Sequence, residues 1–115
     1  MFNIKEILKA SVCSFCENIY EYNSIDEKDF TKSLKSFLQE ENLQECLEIC
    51  TSEVVYDINN IDNVCDNLYL LKYKQFEIDD ILDTCKSAYC QTLEKDKTIN
   101  VEAFVDNLSK EFSKK

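Results

Sequence analysis

The stretch ILKASVCSFCENIYEYNSIDEKDFTKSL, residues 7–34, lies against residues 81–108 without a gap, and that match decides how the chain is organised. Ile7 falls on Ile81, Leu8 on Leu82, Cys16 on Cys90, Ile25 on Ile99, Phe30 on Phe104 and Leu34 on Leu108. Phe15 falls opposite Tyr89, and Ile19 opposite Leu93. These pairings are apolar or Cys, which is the face that a shared packing scheme has to preserve. Within the first copy, Ile4, Ile7, Leu8, Val12, Phe15 and Ile19 step by three and four, as one face of an amphipathic helix requires. Asp26 or Asp29 can cap a second helix, on which Phe30, Leu34, Phe37 and Leu38 repeat the same steps.

Working outward, Leu43, Cys46, Leu47 and Cys50, ending at Val54 and Val55, predict a third helix, and Val64, Leu68 and Leu71 a fourth. Phe76, Ile78, Ile81, Leu82, Cys85 and Tyr89 mark a fifth. The polar run Glu94 to Thr98 reads as a loop, and Val101, Phe104, Val105, Leu108 and Phe112 form a sixth helix. Midway between the two copies, Tyr56, Asn59, Ile61, Asp62 and Leu70 match Tyr20, Asn23, Ile25, Asp26 and Leu34. The expectation is an all-α fold of about six helices, in which a helix-loop-helix unit of some three dozen residues is used three times.

Composition agrees. Gly and Pro are both absent, so the usual residues of tight turns and helix breaks are missing. Apolar residues are 44% and charged residues 31% of the 115, a globular balance. The formal charge of -10 repels nucleic acid and anionic membranes and favours a basic partner. No run of about 20 apolar residues offers a membrane span. The first residues lack a secretory leader, which points to the cytoplasm and to seven reduced Cys.

The layout resembles the EF-hand family, in particular calmodulin-like proteins and myosin light chains. The resemblance rests on the lone Ile at 25, 61 and 99, the Phe five residues later at 30 and 104, and the repeat length. It implies that Ile25, Ile61 and Ile99 pair neighbouring loops across a short two-stranded contact. Phe30 and Phe104 would pack beneath the helices that leave the loops. It also implies a paired lobe over residues 1–72 and a third unit over 73–115.

The calcium chemistry does not follow, because a working loop needs alternating oxygen ligands, a Gly at the sixth place and a Glu at the twelfth. The first loop offers Asn18, Tyr20, Tyr22, Asn23 and Asp29 at the places that matter. The second offers Val54, Tyr56, Ile58, Asn59 and Cys65. The third has Thr92, Glu94, Asp96, Lys97 and Ala103. The expectation is therefore no metal and no cofactor.

Cys13, Cys16, Cys85 and Cys90 also resemble the end clamp of a saposin-like protein, in which Cys13 would join Cys90 and Cys16 would join Cys85. Cys65 would then pair with Cys46 or Cys50. The close spacing of Cys65 to Cys85, the seventh Cys and the helix after Cys90 depart from that pattern. The same four residues make a conceivable zinc site, yet core thiols account for them more simply.

His is absent, so a catalytic thiolate has no imidazole to hold it, and a Gly-rich phosphate loop is impossible. The reading is a non-catalytic, largely calcium-independent protein that clasps a basic amphipathic helix, such as a myosin heavy-chain neck. Phe15, Phe30, Phe37, Phe104 and Phe112 would line the cleft or the core beneath it. The alternative is a disulfide-bonded, lipid-interacting saposin-like protein.

Overall fold

A computed structural model describes residues 2–39, 59–95 and 100–115. Helix α1 spans Ile4–Cys16 and runs on through a π-helical turn, Glu17–Glu21; α2 spans Glu27–Gln39. Helix α3 is Asn59–Asn67, followed by a 3-10 turn at Tyr69–Leu71, and α4 (Ile78–Lys95) and α5 (Val101–Ser113) complete the order. The all-helical expectation holds for the described residues. The third predicted helix, with Cys46 and Cys50, lies outside them, as does Ile99.

Each start has a local cause. Asn3 opens α1 with a reciprocal box, its side chain taking the Glu6 N–H at 2.9 Å while Glu6 takes that of Asn3. Such boxes satisfy two of the donors that a helix leaves bare. Asp26 receives the Lys28 N–H at 2.8 Å to open α2, and Asn100 receives the Ala103 N–H at 2.8 Å to open α5. The sequence placed a loop over Glu94 to Thr98, but α4 continues to Lys95. Polarity there reflects an exposed helix face, since Glu94 is exposed while Thr92 is buried.

The two helical hairpins superpose in sequence. Shifted by the 74 residues of the gapless match, Ile4–Glu21 becomes Ile78–Lys95 and Glu27–Gln39 becomes Val101–Ser113. The capping residues Asp26 and Asn100 also correspond. What the sequence match did not reveal is that equivalent residues touch. Phe2 and Phe76 exchange both backbone hydrogen bonds, at 3.1 and 2.9 Å. Ser11 Oγ lies 3.2 Å from Cys85 Sγ. Phe15 meets Tyr89 edge-on at 6.0 Å, and Phe30 meets Phe104 edge-on at 5.5 Å. Phe15 stacks on Phe104 at 4.7 Å, and the corresponding pair, Tyr89 on Phe30, stacks at 4.2 Å. This reciprocity is that of an approximate twofold axis running between the hairpins, with the four rings around it.

One core results, drawn from all five helices. Helix α1 packs on α2, α3 and α5, while α4 packs on α5 and α2. Residues Ala10 to Cys16 are buried without a break, so α1 is a central helix rather than the one-faced surface helix that its periodicity suggested. Its two buried hydroxyls are satisfied: Ser14 donates to the Ala10 carbonyl, and Ser11 meets the Cys85 thiol.

The midway copy does not share this arrangement. Asn23 lies in the loop before α2, whereas Asn59 begins α3. Ile25 is 64% exposed, whereas Ile61 is 1% exposed inside a helix. Leu34 is 0% exposed, whereas Leu70 is 76% exposed. A few single-residue matches among common residue types do not fix a packing role, and within the described residues the hairpin occurs twice, not three times. Ile25 and Ile61 are not joined as loop partners; the one isolated β-bridge there is that of Phe2 with Phe76.

Candidate functional site

The five phenylalanines chosen from the sequence build the interior. Phe15, Phe30, Phe104 and Phe112 are fully buried, and Phe37 is partly buried against the same core. Phe112 meets Phe76 edge-on at 5.3 Å. A cleft lined by these rings is therefore not presented by the described residues: Phe15, Phe30 and Phe104 meet one another and Tyr89, Phe112 meets Phe76, and Phe37 lies partly buried against the same core. Aromatic pairs of this kind each stabilise by roughly 0.5–1.5 kcal/mol beyond their burial.

Among the described residues no disulfide joins Cys13, Cys16, Cys65, Cys85 and Cys90 to one another, so the Cys13–Cys90 and Cys16–Cys85 bridges that the saposin resemblance implies are not formed. Cys85 faces Ser11, and burial pushes its thiol up to about 12. Cys90 donates to Glu27 Oε2 at 3.0 Å; burial first, then that carboxylate, hold it up near 11. Burial also raises Cys65. Thiols held so firmly protonated are poor nucleophiles and poor metal ligands near neutrality. Among the described residues, no three His, Cys, Asp or Glu side chains converge as a metal site would need.

Sequence reasoning passed over the pocket beneath the loop from Asn18 to Asp29. The α1 helix widens here: Tyr22 N–H bonds the Glu17 carbonyl at 3.0 Å and Ser24 N–H bonds the Asn18 carbonyl at 2.7 Å. Asn23 follows with φ at 52°, a left-handed conformation that Asn tolerates better than most residues and that this glycine-free chain fills with Asn. Below the turn lies a cavity of about 320 Å³, lined by Glu17, Asn18, Tyr22, Ser24, Asp29 and Lys32 together with Ser33 and Ser36. Asn18 is 3% exposed, and its Nδ2 has no hydrogen-bond partner.

Asp29, in the first turn of α2, accepts from Ser24 Oγ at 3.0 Å, and Glu17 accepts from Ser33 Oγ at 3.4 Å. The second buried polar atom lacking a partner is the Tyr89 hydroxyl. It ionises only near 12, because burial and the nearby Cys90, Asp26 and Asp29 disfavour a phenolate. Both orphan groups thus border the same loop. A larger groove of about 560 Å³ between α2 and α4 carries Lys28, Lys32, Lys35 and Lys86, but Glu27, Asp79 and Asp83 share it. Its charges largely cancel.

A different feature stands on the outside. Tyr69, Leu70 and Tyr73 are 67%, 76% and 88% exposed on the 3-10 turn and its exit, while Leu68 and Leu71 between them anchor the turn in the core. Backbone bonds from Leu71 to Leu68 and from Lys72 to Tyr69 hold this knuckle in shape. The remaining large exposed apolar side chains among the described residues are Tyr22, which lines the loop pocket, and Ile25 in the loop. No helix among the described residues is long and apolar enough to cross a membrane. No family model matches the chain, and neither a curated protein nor a solved structure matches it.

Proposed function

We propose that this chain is a non-catalytic binding module that takes a basic amphipathic helix of a larger protein, of which a myosin neck segment is one example. The observation that carries the reading is the knuckle. Three large apolar side chains within five residues are held out into solvent by a turn that Leu68 and Leu71 anchor in the core, and clustered exposed apolar groups of this kind mark interaction sites. Tyrosines are favoured at the centre of interfaces because a ring contributes large contact area at little conformational cost.

Charge supplies the complement over the whole molecule, whereas Lys72 and Lys74 flank Tyr73 on the knuckle itself and Asp62 is paired with Lys5 at 3.0 Å. Asp62 and Asp66 precede the knuckle in the chain, and Glu77, Asp79 and Asp80 follow it. With -10 overall, long-range steering favours a cationic partner. The absence of His and the firmly protonated thiols support a role without covalent chemistry.

The test is a titration of a labelled model helix, apolar on one face and Lys-rich on the other, followed by fluorescence anisotropy in chelator. Binding is expected to weaken with salt and to fall by about tenfold or more in the Tyr69→Ser, Leu70→Ser, Tyr73→Ser triple variant. Equal binding by that variant, or equal binding of a Glu-rich counterpart helix, overturns the proposal.

A further inference from the structure

The two hairpins provide an internal comparison. Position 18 of the first corresponds to Thr92 of the second, and Ser33 corresponds to Asn107. In the second hairpin these two side chains close on each other: Asn107 Nδ2 donates to Thr92 Oγ1 at 2.9 Å, and Thr92 donates onward to the Ala88 carbonyl at 2.8 Å. The polar groups at that place are satisfied from within the chain. In the first hairpin the corresponding pair does not close. Ser33 turns to Glu17, Asn18 Nδ2 is left without a partner, and a cavity of about 320 Å³ lies beside them. An unpaired buried donor costs roughly 1–3 kcal/mol, and the helix at that point departs into a π turn that its counterpart in α4 lacks.

From this contrast we infer that the pocket beneath residues 18–29 is a binding site for a small, uncharged, polyhydroxylated ligand, a sugar or another polyol. The lining selects the class. Asn18 Nδ2 and Lys32 ask for an acceptor, while the carboxylates of Glu17 and Asp29, which already accept from Ser33 and Ser24, have lone pairs to accept a further donor, and a hydroxyl is both. A phosphate or carboxylate would face two carboxylates. A metal ion or ammonium would face Lys32 and leave the Asn18 donor unmet. Tyr22, 62% exposed at the rim, offers an aromatic face to the C–H side of a ring. The volume lies at the lower end of ligand pockets, which suits one ring rather than an extended chain. The exposed knuckle belongs to a separate surface, so this inference does not rest on the proposed partner.

The experiment is two-dimensional amide NMR of the full chain, titrated separately with glucose, myo-inositol, inorganic phosphate and lysine. Glucose or inositol should shift the amides of residues 17–33 in a saturable way, with the 91–107 segment as the unshifted internal reference. The Asn18→Thr, Ser33→Asn double variant transplants the closed pair of the second hairpin. It should raise the thermal midpoint, because the unpaired buried donor is gone, and lose affinity by about tenfold or more. Asn18→Asp, which replaces the donor by an acceptor at nearly the same volume, should also lose binding. No saturable shifts with either polyol, unchanged affinity in the transplanted variant, or tighter binding of phosphate or lysine would each overturn the inference.

Discussion

Replacing Phe30 or Phe104 by Ala tests the twofold relation at its centre. Both rings are fully buried. Phe30 stacks on Tyr89 and Phe104 stacks on Phe15, and the two meet edge-on at 5.5 Å. Truncating a buried Phe to Ala costs about 3–5 kcal/mol, of which roughly 0.5–1.5 kcal/mol per ring pair is aromatic contact. Phe104 also meets Tyr89 edge-on at 6.2 Å, so its loss should match that of Phe30 to within about one ring pair, roughly 0.5–1.5 kcal/mol. That loss is a large share of the stability of about 5–15 kcal/mol normal for a domain.

The assay is urea denaturation followed by far-UV circular dichroism, with Phe→Leu variants at both positions as milder versions should the Ala forms fail to fold. The double variant should cost less than the sum of the singles, because the edge-on contact between residues 30 and 104 is removed by either one and counted twice. A small loss at one position beside a large loss at the other, or strict additivity, refutes the proposed equivalence.

Other outcomes follow from particular groups. Tyr89→Phe removes a buried hydroxyl without a partner and should raise stability by about 1 kcal/mol, read as a higher urea midpoint. In alkali, Cys85 holds its proton to about 12 and Cys90 to about 11, against an ordinary thiol value of 9.0. Below the ordinary value both folded and unfolded chains keep these protons and the contribution is whole. Above it the unfolded chain ionises first, so stability should decline from about pH 9 through 11 and onward, and Cys85→Ala should flatten the decline. Asp26→Ala and Asn100→Ala remove corresponding helix caps and should each cost about 1 kcal/mol, measured by thermal melting; a large cost at one and none at the other would contradict their equivalent roles.

The two hairpins were legible because a repeated core leaves its apolar and Cys positions in register, as Ile7 with Ile81 and Leu34 with Leu108 show. The midway copy misled because Ile, Asp and Asn are common and because identity at a position says nothing of burial, as Leu34 and Leu70 show. Helical periodicity gave the faces of α1 but not the unbroken burial of Ala10 to Cys16, which depends on how many neighbours surround that stretch. The contacts between equivalent residues are tertiary and leave no mark in a one-dimensional match. The loop pocket was hidden for a related reason. Aligning the copies sets Asn18 over Thr92 and Ser33 over Asn107, but nothing in that exchange of small polar residues tells which pair closes and which stays open.

Residues that face their own counterparts make the hairpin surface self-complementary. A hairpin therefore fits the other half of its own chain and the matching half of a neighbouring molecule by the same contacts, with Phe2 pairing to Phe76 and the four rings meeting in either case. Closing within one chain is favoured by the tether, and exchange of halves between chains is favoured by crowding many copies together. The geometry that closes the chain on itself is thus the same one that an exchanged pair of chains would have to reproduce.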